Sequence, residues 1–180
     1  DQCQHRPTER GIKSKNMKKI IAITVTLLMA AGAFAQEGKR LYNKYSDSEG
    51  VSAVYISPAM FKLIGQIPEL NVDMGNGEKM DLVPLIRSFT GFYMLDISEK
   101  TLASELYKEV TTLIDKGKYE MLMEVKDSGD KLRMYTAGDA KTVESFLFIA
   151  NDGTETQFIC LDGAMDRKEI ESLIAKASTM

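Results

Sequence analysis

The sequence predicts an α+β domain, a largely antiparallel sheet of about six strands packed against helices. Three observations carry this. Four strand-like runs follow one another at residues 119–126, 131–137, 142–150 and 154–162, with turn-forming residues between them. An apolar stripe of helical spacing precedes them: from Leu102, the residues Leu106, Val110, Leu113 and Ile114 recur at +4, +8, +11 and +12. Short capped helical segments stand before the stripe and after the last run. The resulting order is β-α-α-β-α-β-β-β-β-α.

Each element has a local reason. Residues 36–50 are polar, with Tyr42 and Tyr45 as the main apolar content, and read as a short helix or a lead-in. Residues 51–57 are β-rich and form the first strand. Ser57-Pro58 reads as an N-cap followed by proline at the first helical position, and Met60, Phe61 and Ile64 supply an apolar face before Gly65. Residues 66–79 contain Pro68, Gly75 and Gly77 and read as a loop. Asp81 caps a second short helix carrying Leu82, Leu85, Ile86 and Phe89, with Pro84 in its first turn and Gly91 at its end. Residues 92–97 are the second strand, and Ser98 caps the long helix, which Gly117 ends.

Asp127-Ser128-Gly129-Asp130 and Asn151-Asp152-Gly153 are hairpin turns. The run at 143–150 is apolar on both faces, Phe146 and Phe148 on one and Leu147 and Ile149 on the other, so it is expected at the centre of the sheet and covered on both sides. Asp166 opens the last helix, with Glu169 placed for a capping box and Met165 placed to staple onto Ile170.

The N-terminal part reads differently. Met17-Lys18-Lys19 is a basic start, residues 20–31 are a 12-residue apolar run, and Ala33-Phe34-Ala35 is a small-x-small cleavage pattern before Gln36. That order is a secretory signal, and the run is too short to span about 30 Å of hydrocarbon. Residues 1–16 are read as a polar upstream segment, 17–35 as a signal peptide, and 36–180 as one α+β domain. No Cys follows the small residues, so a lipid anchor is not expected. The expected location is periplasmic or secreted.

Removing residues 1–35 changes the balance. Six of the 23 Lys+Arg and two of the 26 Asp+Glu lie there, leaving 17 against 24, a formal charge of −7 where the full chain carries −3. That charge opposes nucleic acid and anionic membrane surfaces as partners. Residues 36–180 hold no His, no Trp and one Cys, Cys160. Ser-His-Asp and Cys-His catalysis, His-ligated metals, Cys-paired zinc and internal disulfides are therefore excluded there. Neither GxGxxG nor GxxxxGK[ST] occurs, and no cofactor is expected.

Four constellations remain. Asp162 with Asp166, and Asp96 with Glu99, are acids that a glycosidase could pair, but capping and solvation explain them. Met121 and Met123, read as alternating on one strand face, with Met134 on the next strand, could bind Cu(I) but read better as core. Asn71, Asp73, Asn76 and Glu78 lie in a Gly-containing segment with oxygen donors at i and i+2. It lacks further calcium ligands, and Leu82 stands where an EF-hand has Glu. These four are the candidate binding residues. Cys160, among Phe158, Ile159 and Leu161, reads as a buried small hydrophobe.

The runs Val143-Glu144-Ser145-Phe146-Leu147-Phe148-Ile149 and Phe158-Ile159-Cys160-Leu161-Asp162-Gly163, the closing helix from Asp166 and the leading signal resemble the DUF4252 family, exported proteins of Bacteroidetes-type bacteria. In that family the last strand ends in Gly before an acid-capped helix, as Asp162-Gly163 does here. The likeness covers about residues 41–177 and implies location and single-domain form, with no activity to carry onto any residue. The expected function is a non-enzymatic binding or interaction protein of the cell envelope, its partner an envelope protein or a small ligand. The alternatives are a carboxylate-dependent hydrolase of the periplasm and a carrier of an apolar ligand.

Overall fold

A computed structural model of the chain describes residues 36–67, 71–73, 79–117 and 119–178. The segments read as upstream sequence and signal peptide lie outside these residues. The described elements run α1 (Glu37–Tyr45), β1 (Val51–Ile56), α2 (Pro58–Ile64), β2 (Asn71–Asp73), β3 (Lys79–Asp81), α3 (Val83–Arg87), β4 (Phe89–Ile97), α4 (Lys100–Lys116), β5 (Tyr119–Asp127), β6 (Asp130–Gly138), β7 (Thr142–Asn151), β8 (Thr156–Asp166) and α5 (Arg167–Ser178). This is the α+β class the sequence predicts. A lead-in helix and a small ribbon, β2 with β3, add to the expected order.

Six strands form one sheet in the order β1-β4-β8-β7-β6-β5, and every neighbouring pair is antiparallel. β5 to β8 make a meander. Its first turn is Ser128-Gly129, both at positive φ (49° and 109°), which suits a two-residue hairpin. In the last turn Asp152 Oδ1 accepts from the N–H groups of Thr154 and Glu155 at 2.8 and 2.7 Å, an Asx-type closure. β4 then lies along the other side of β8, with Leu95 opposite Phe158, and β1 closes that edge.

The inner face of the sheet carries the core. Leu41 and Tyr45 from α1 and Ala103, Leu106 and Val110 from α4 pack with Tyr93, Leu95, Ile97, Tyr135, Leu147, Ile149, Phe158 and Cys160. Burying one such side chain contributes about 1.5–3 kcal/mol, which explains why a stripe of period 3.6 settles over strands of period 2.

Several local expectations are corrected. Gly91 does not end a helix: α3 stops at Arg87 and Gly91 lies inside β4, where a Cβ would meet Tyr93 Oη at 2.7 Å. Glu99, not Ser98, caps α4, its carboxylate accepting from Thr101 and Leu102 N–H at 3.0 and 2.8 Å, while Ser98 Oγ donates to Gly50 O. The segment read as a loop at 66–79 holds β2, which pairs with β3. Met121 and Met123 do not share a face. A register shift between them places Met121 opposite Tyr135 and Met123 opposite Met134, and both are exposed on an edge strand rather than packed in the core. Ser57 and Asp166 do act as caps, accepting from Met60 and from Lys168 with Glu169 respectively, whereas Asp81 ends β3 and accepts from Val83 N–H, Leu82 stands at the N-cap of α3, and Phe89, expected on that helix, begins β4.

Candidate functional site

Three features outside ordinary core packing are candidates. The first is a buried polar row on the inner face. Gly91, Asp162, Ser145, Ala137 and Tyr119 lie side by side across five strands, and Tyr93, Cys160, Leu147 and Tyr135 form the next row. Cys160 Sγ donates to Asp162 Oδ1 at 3.3 Å and lies 3.3 Å from Ser145 Oγ. Asp162 is 2% exposed, and its Oδ2 has no hydrogen-bond partner among the described residues. Burial pushes the Asp162 carboxyl up to about 6, against the lowering effect of Cys160 and Ser145. Burial, then the charge of Asp162, push the Cys160 thiol well above its ordinary value. The Tyr93 hydroxyl is raised to about 12, by burial first and then by Asp162.

Chemically this row is quiet. A thiol held protonated is a poor nucleophile, and at this depth no substrate reaches it. Asp162 was expected to be solvated beside the final turn and is instead part of the core. The sequence carried a signal for this: Phe158, Cys160 and Asp162 alternate with period two, so a carboxylate follows the buried thiol on the same face.

The second feature is a groove of about 650 Å³ between α1 and α4, lined in part by Glu37, Arg40, Lys44, Glu105 and Glu109. Glu109 accepts from Arg40 and Lys44 at 2.6 Å each and from the Tyr45 hydroxyl at 2.8 Å. Burial raises the Glu109 carboxyl, but these three donors outweigh it and bring it down to about 2. Arg40 also holds Glu37 at 2.7 Å. Arg40 and Lys44 are engaged by carboxylates and clamp α1 to α4, and Lys108 and Lys116 also line the groove.

The third feature is the outer face of the sheet. Val54 and Ile56 on β1, Phe92 and Met94 on β4, Ile159 and Leu161 on β8, Phe146 and Phe148 on β7, Leu132 and Met134 on β6, and Met123 and Val125 on β5 all point the same way by their register. None of these apolar residues is among the buried ones, while their inward neighbours Leu95, Phe158, Leu147, Ile149 and Tyr135 are; Thr136, which shares the outer face opposite Phe146, is buried at 2% exposed. The expectation that β7 is covered on both sides is therefore corrected. β7 is interior in the sheet, but Phe146 and Phe148 are only part-buried. The charged residues that the register places on this face, Asp96, Glu120, Asp127, Asp130 and Glu144, are all acidic and stand toward the strand ends. Apolar side chains on neighbouring strands of one face are the feature that, on a single chain, makes a candidate interaction surface.

The sequence's own binding candidates separate. Asn71 and Asp73 are on β2, opposite Asp81 and Lys79 in the ribbon. Asn76 and Glu78 lie outside the described residues. Asp166 caps α5 and Glu99 caps α4, so neither Asp162 with Asp166 nor Asp96 with Glu99 forms a pair facing a cleft. Among the described residues no group of three or more His, Cys, Asp or Glu could hold a metal ion, and no helix is long and apolar enough to cross a membrane.

No curated protein and no solved structure matches this chain. A family model does, over residues 45–173, from β1's lead-in to the middle of α5; its description is a domain of unknown function, DUF4252. With nearly the whole described sheet-and-helix unit inside that match, the chain belongs to the DUF4252 family.

Proposed function

We propose that this chain is an exported, non-enzymatic binding protein of the cell envelope, periplasmic or secreted, and that its binding surface is the outer face of the sheet. One observation carries the reading. All six strands turn apolar side chains outward, and these are left part-buried or exposed. Keeping such a face in water is unfavourable by about 25 cal/mol for each Å² of apolar surface, so a partner that covers it gains that free energy. Catalysis finds less support, because Asp162 is shut in the core and Asp166 and Glu99 are engaged as helix caps.

The test is a pull-down from cell-envelope extract with the wild-type chain, with Phe148→Glu, and with a deletion of residues 71–78. Loss of the captured proteins in Phe148→Glu alone supports the outer face. Loss only in the deletion moves the surface to the segment of Asn71, Asp73, Asn76 and Glu78. Hydrolysis of a glycan or peptide by purified protein, abolished by acid-to-amide changes, overturns the non-enzymatic reading.

A further inference from the structure

We infer that β1 is an open edge for strand addition, and that a second copy of this chain pairs with it, β1 against β1 in antiparallel, joining two six-stranded sheets side by side. The inference goes beyond the outer face, which such a pair leaves open. It starts from where the backbone groups of β1 point. Ser98 N–H donates to Gly50 O at 3.1 Å, continuing the register that sets Val51 opposite Ile97. Bonded pairs alternate along an antiparallel ladder. Ser52, Val54 and Ile56 therefore turn their N–H and C=O toward β4, and Val51, Ala53 and Tyr55 turn theirs away. In the sheet β1 has β4 as its neighbour, and among the described residues no other group bonds the outward N–H and C=O of these three. The opposite edge is protected: β5 has the bulge between Met121 and Met123 and carries Glu120, Glu124, Lys126 and Asp127. β1 has no charged residue, no proline and no register shift. Bulges and charges keep a free edge from taking another strand, and β1 has neither. A row of outward N–H and C=O groups is matched by an extended chain.

Self-complementarity selects the occupant. A two-fold axis at Ala53 sets Val51 opposite the second copy's Tyr55, Ala53 opposite Ala53, and Tyr55 opposite Val51. Each outward N–H then meets a C=O of the other copy. An axis at Ser52 sets Tyr55 opposite Glu49, outside β1. An axis at Val54 sets Val51 opposite Ser57, whose C=O already accepts from Met60 and Phe61 N–H. With the axis at Ala53 the side chains agree as well. Val51 against Tyr55 is a pairing of β-branched with aromatic that favours neighbouring strands. Tyr55 is 42% exposed in the single chain and is held in place by stacking on Tyr93, ring centroids 5.2 Å apart. Charge permits the pair. Residues 50–68 hold one charged residue, Lys62. Glu49 of one copy stands level with Ser57 of the other, so the two Glu49 lie about 27 Å apart along the strands. Asp96, opposite Ser52 on β4, is three strand spacings from its counterpart, about 14 Å. Both distances exceed the Debye length of about 8 Å, so the −7 of residues 36–180 does not gather at the seam. The two-fold uses the β1 edge of both copies and closes the pair.

The experiment uses the full-length chain as purified from the cells that express it. Sedimentation over a micromolar concentration series is expected to give twice the chain mass. Ala53→Pro removes an outward N–H and leaves the ladder to β4 in place, so it is expected to give the single mass with its unfolding midpoint kept. Phe148→Glu, changed on the outer face, is expected to keep the double mass. Amide exchange followed by NMR needs no variant. Where about nine-tenths of the chains are paired, the Ala53 and Tyr55 amides are expected to exchange about tenfold more slowly than at high dilution. The Ser52 and Val54 amides, already bonded to β4, keep their rates. A wild-type chain of single mass throughout, or Ala53 and Tyr55 exchange independent of concentration, overturns the pair. Doubling lost in Phe148→Glu and kept in Ala53→Pro overturns it too, placing the contact on the outer face. Slowing that appears only when cell-envelope extract is added gives the edge to a strand of another protein and overturns the second copy.

Discussion

Gly38 lies so close to the thiol of Cys160 that a Cβ at residue 38 would stand 2.7 Å from Sγ. The contact joins the first turn of α1 to the middle of β8, and the glycine is there because nothing larger fits. In an unconstrained helix Gly→Ala stabilises by about 1 kcal/mol. Here Gly38→Ala is expected to destabilise by about 1–3 kcal/mol, since backbone or β8 must move. In urea unfolding, the double variant with Cys160→Ala should cost less than the two single changes added together. Additive costs would mean that the two residues do not touch in solution.

Asp162 sets an unusual pH dependence. Its folded value, about 6, lies above the ordinary 3.8. The native state therefore binds the proton more tightly than the unfolded chain, and stability from this group is complete below pH 3.8 and lost as pH rises through about 6. The loss amounts to roughly 3 kcal/mol. Asp162→Asn is expected to flatten the stability profile across that window. An unchanged slope in the variant would assign the dependence elsewhere.

Glu109 works in the opposite sense. Its carboxyl is held near 2, below the ordinary 4.5, so its contribution is present above 4.5 and lost as pH falls toward 2. Because Arg40 and Lys44 reach it from the solvent side, Glu109→Gln should cost only about 1 kcal/mol at neutral pH. The difference between variant and wild type should shrink in acid and in high salt, as thermal unfolding at a few pH values would show.

The mature N-terminus is expected at Gln36, one residue before α1 begins. Gln36 O already accepts from Arg40 N–H at 2.9 Å, so cleavage there leaves the helix whole. N-terminal sequencing of protein recovered from outside the cytoplasm reads this directly. A chain that still begins at Met17 would remove the export reading.

Much of the fold was legible because its signals are local. Ser57-Pro58, Asp166 and the two hairpin turns act within four residues, and the α4 stripe reports its own buried side. What was not legible is decided by neighbours far along the chain. Gly91 looks like a helix stop until Tyr93 is seen to need the space. The shift between Met121 and Met123 depends on the pairing of β5 with β6. Period-two alternation did place Phe146 and Phe148 together on one face, but it says nothing of what lies over that face, so they were expected to be covered. Asp162 could have been found from its alternation with Cys160.

The strand order also has a consequence in time. Among the described residues β8 is the last strand and the only link between β4 with β1 on one side and β7, β6 and β5 on the other. As the polypeptide leaves the ribosome, β1 and β4 can pair with each other long before β8, the other neighbour of β4, exists, and a two-stranded pair is marginal in water. The N-terminal half must therefore stay unassembled until synthesis is almost complete. Residues 156–166 then join both halves at once, and a chain cut just before them keeps five of the six strands as two separate pieces, the β1–β4 pair and the β5–β6–β7 meander.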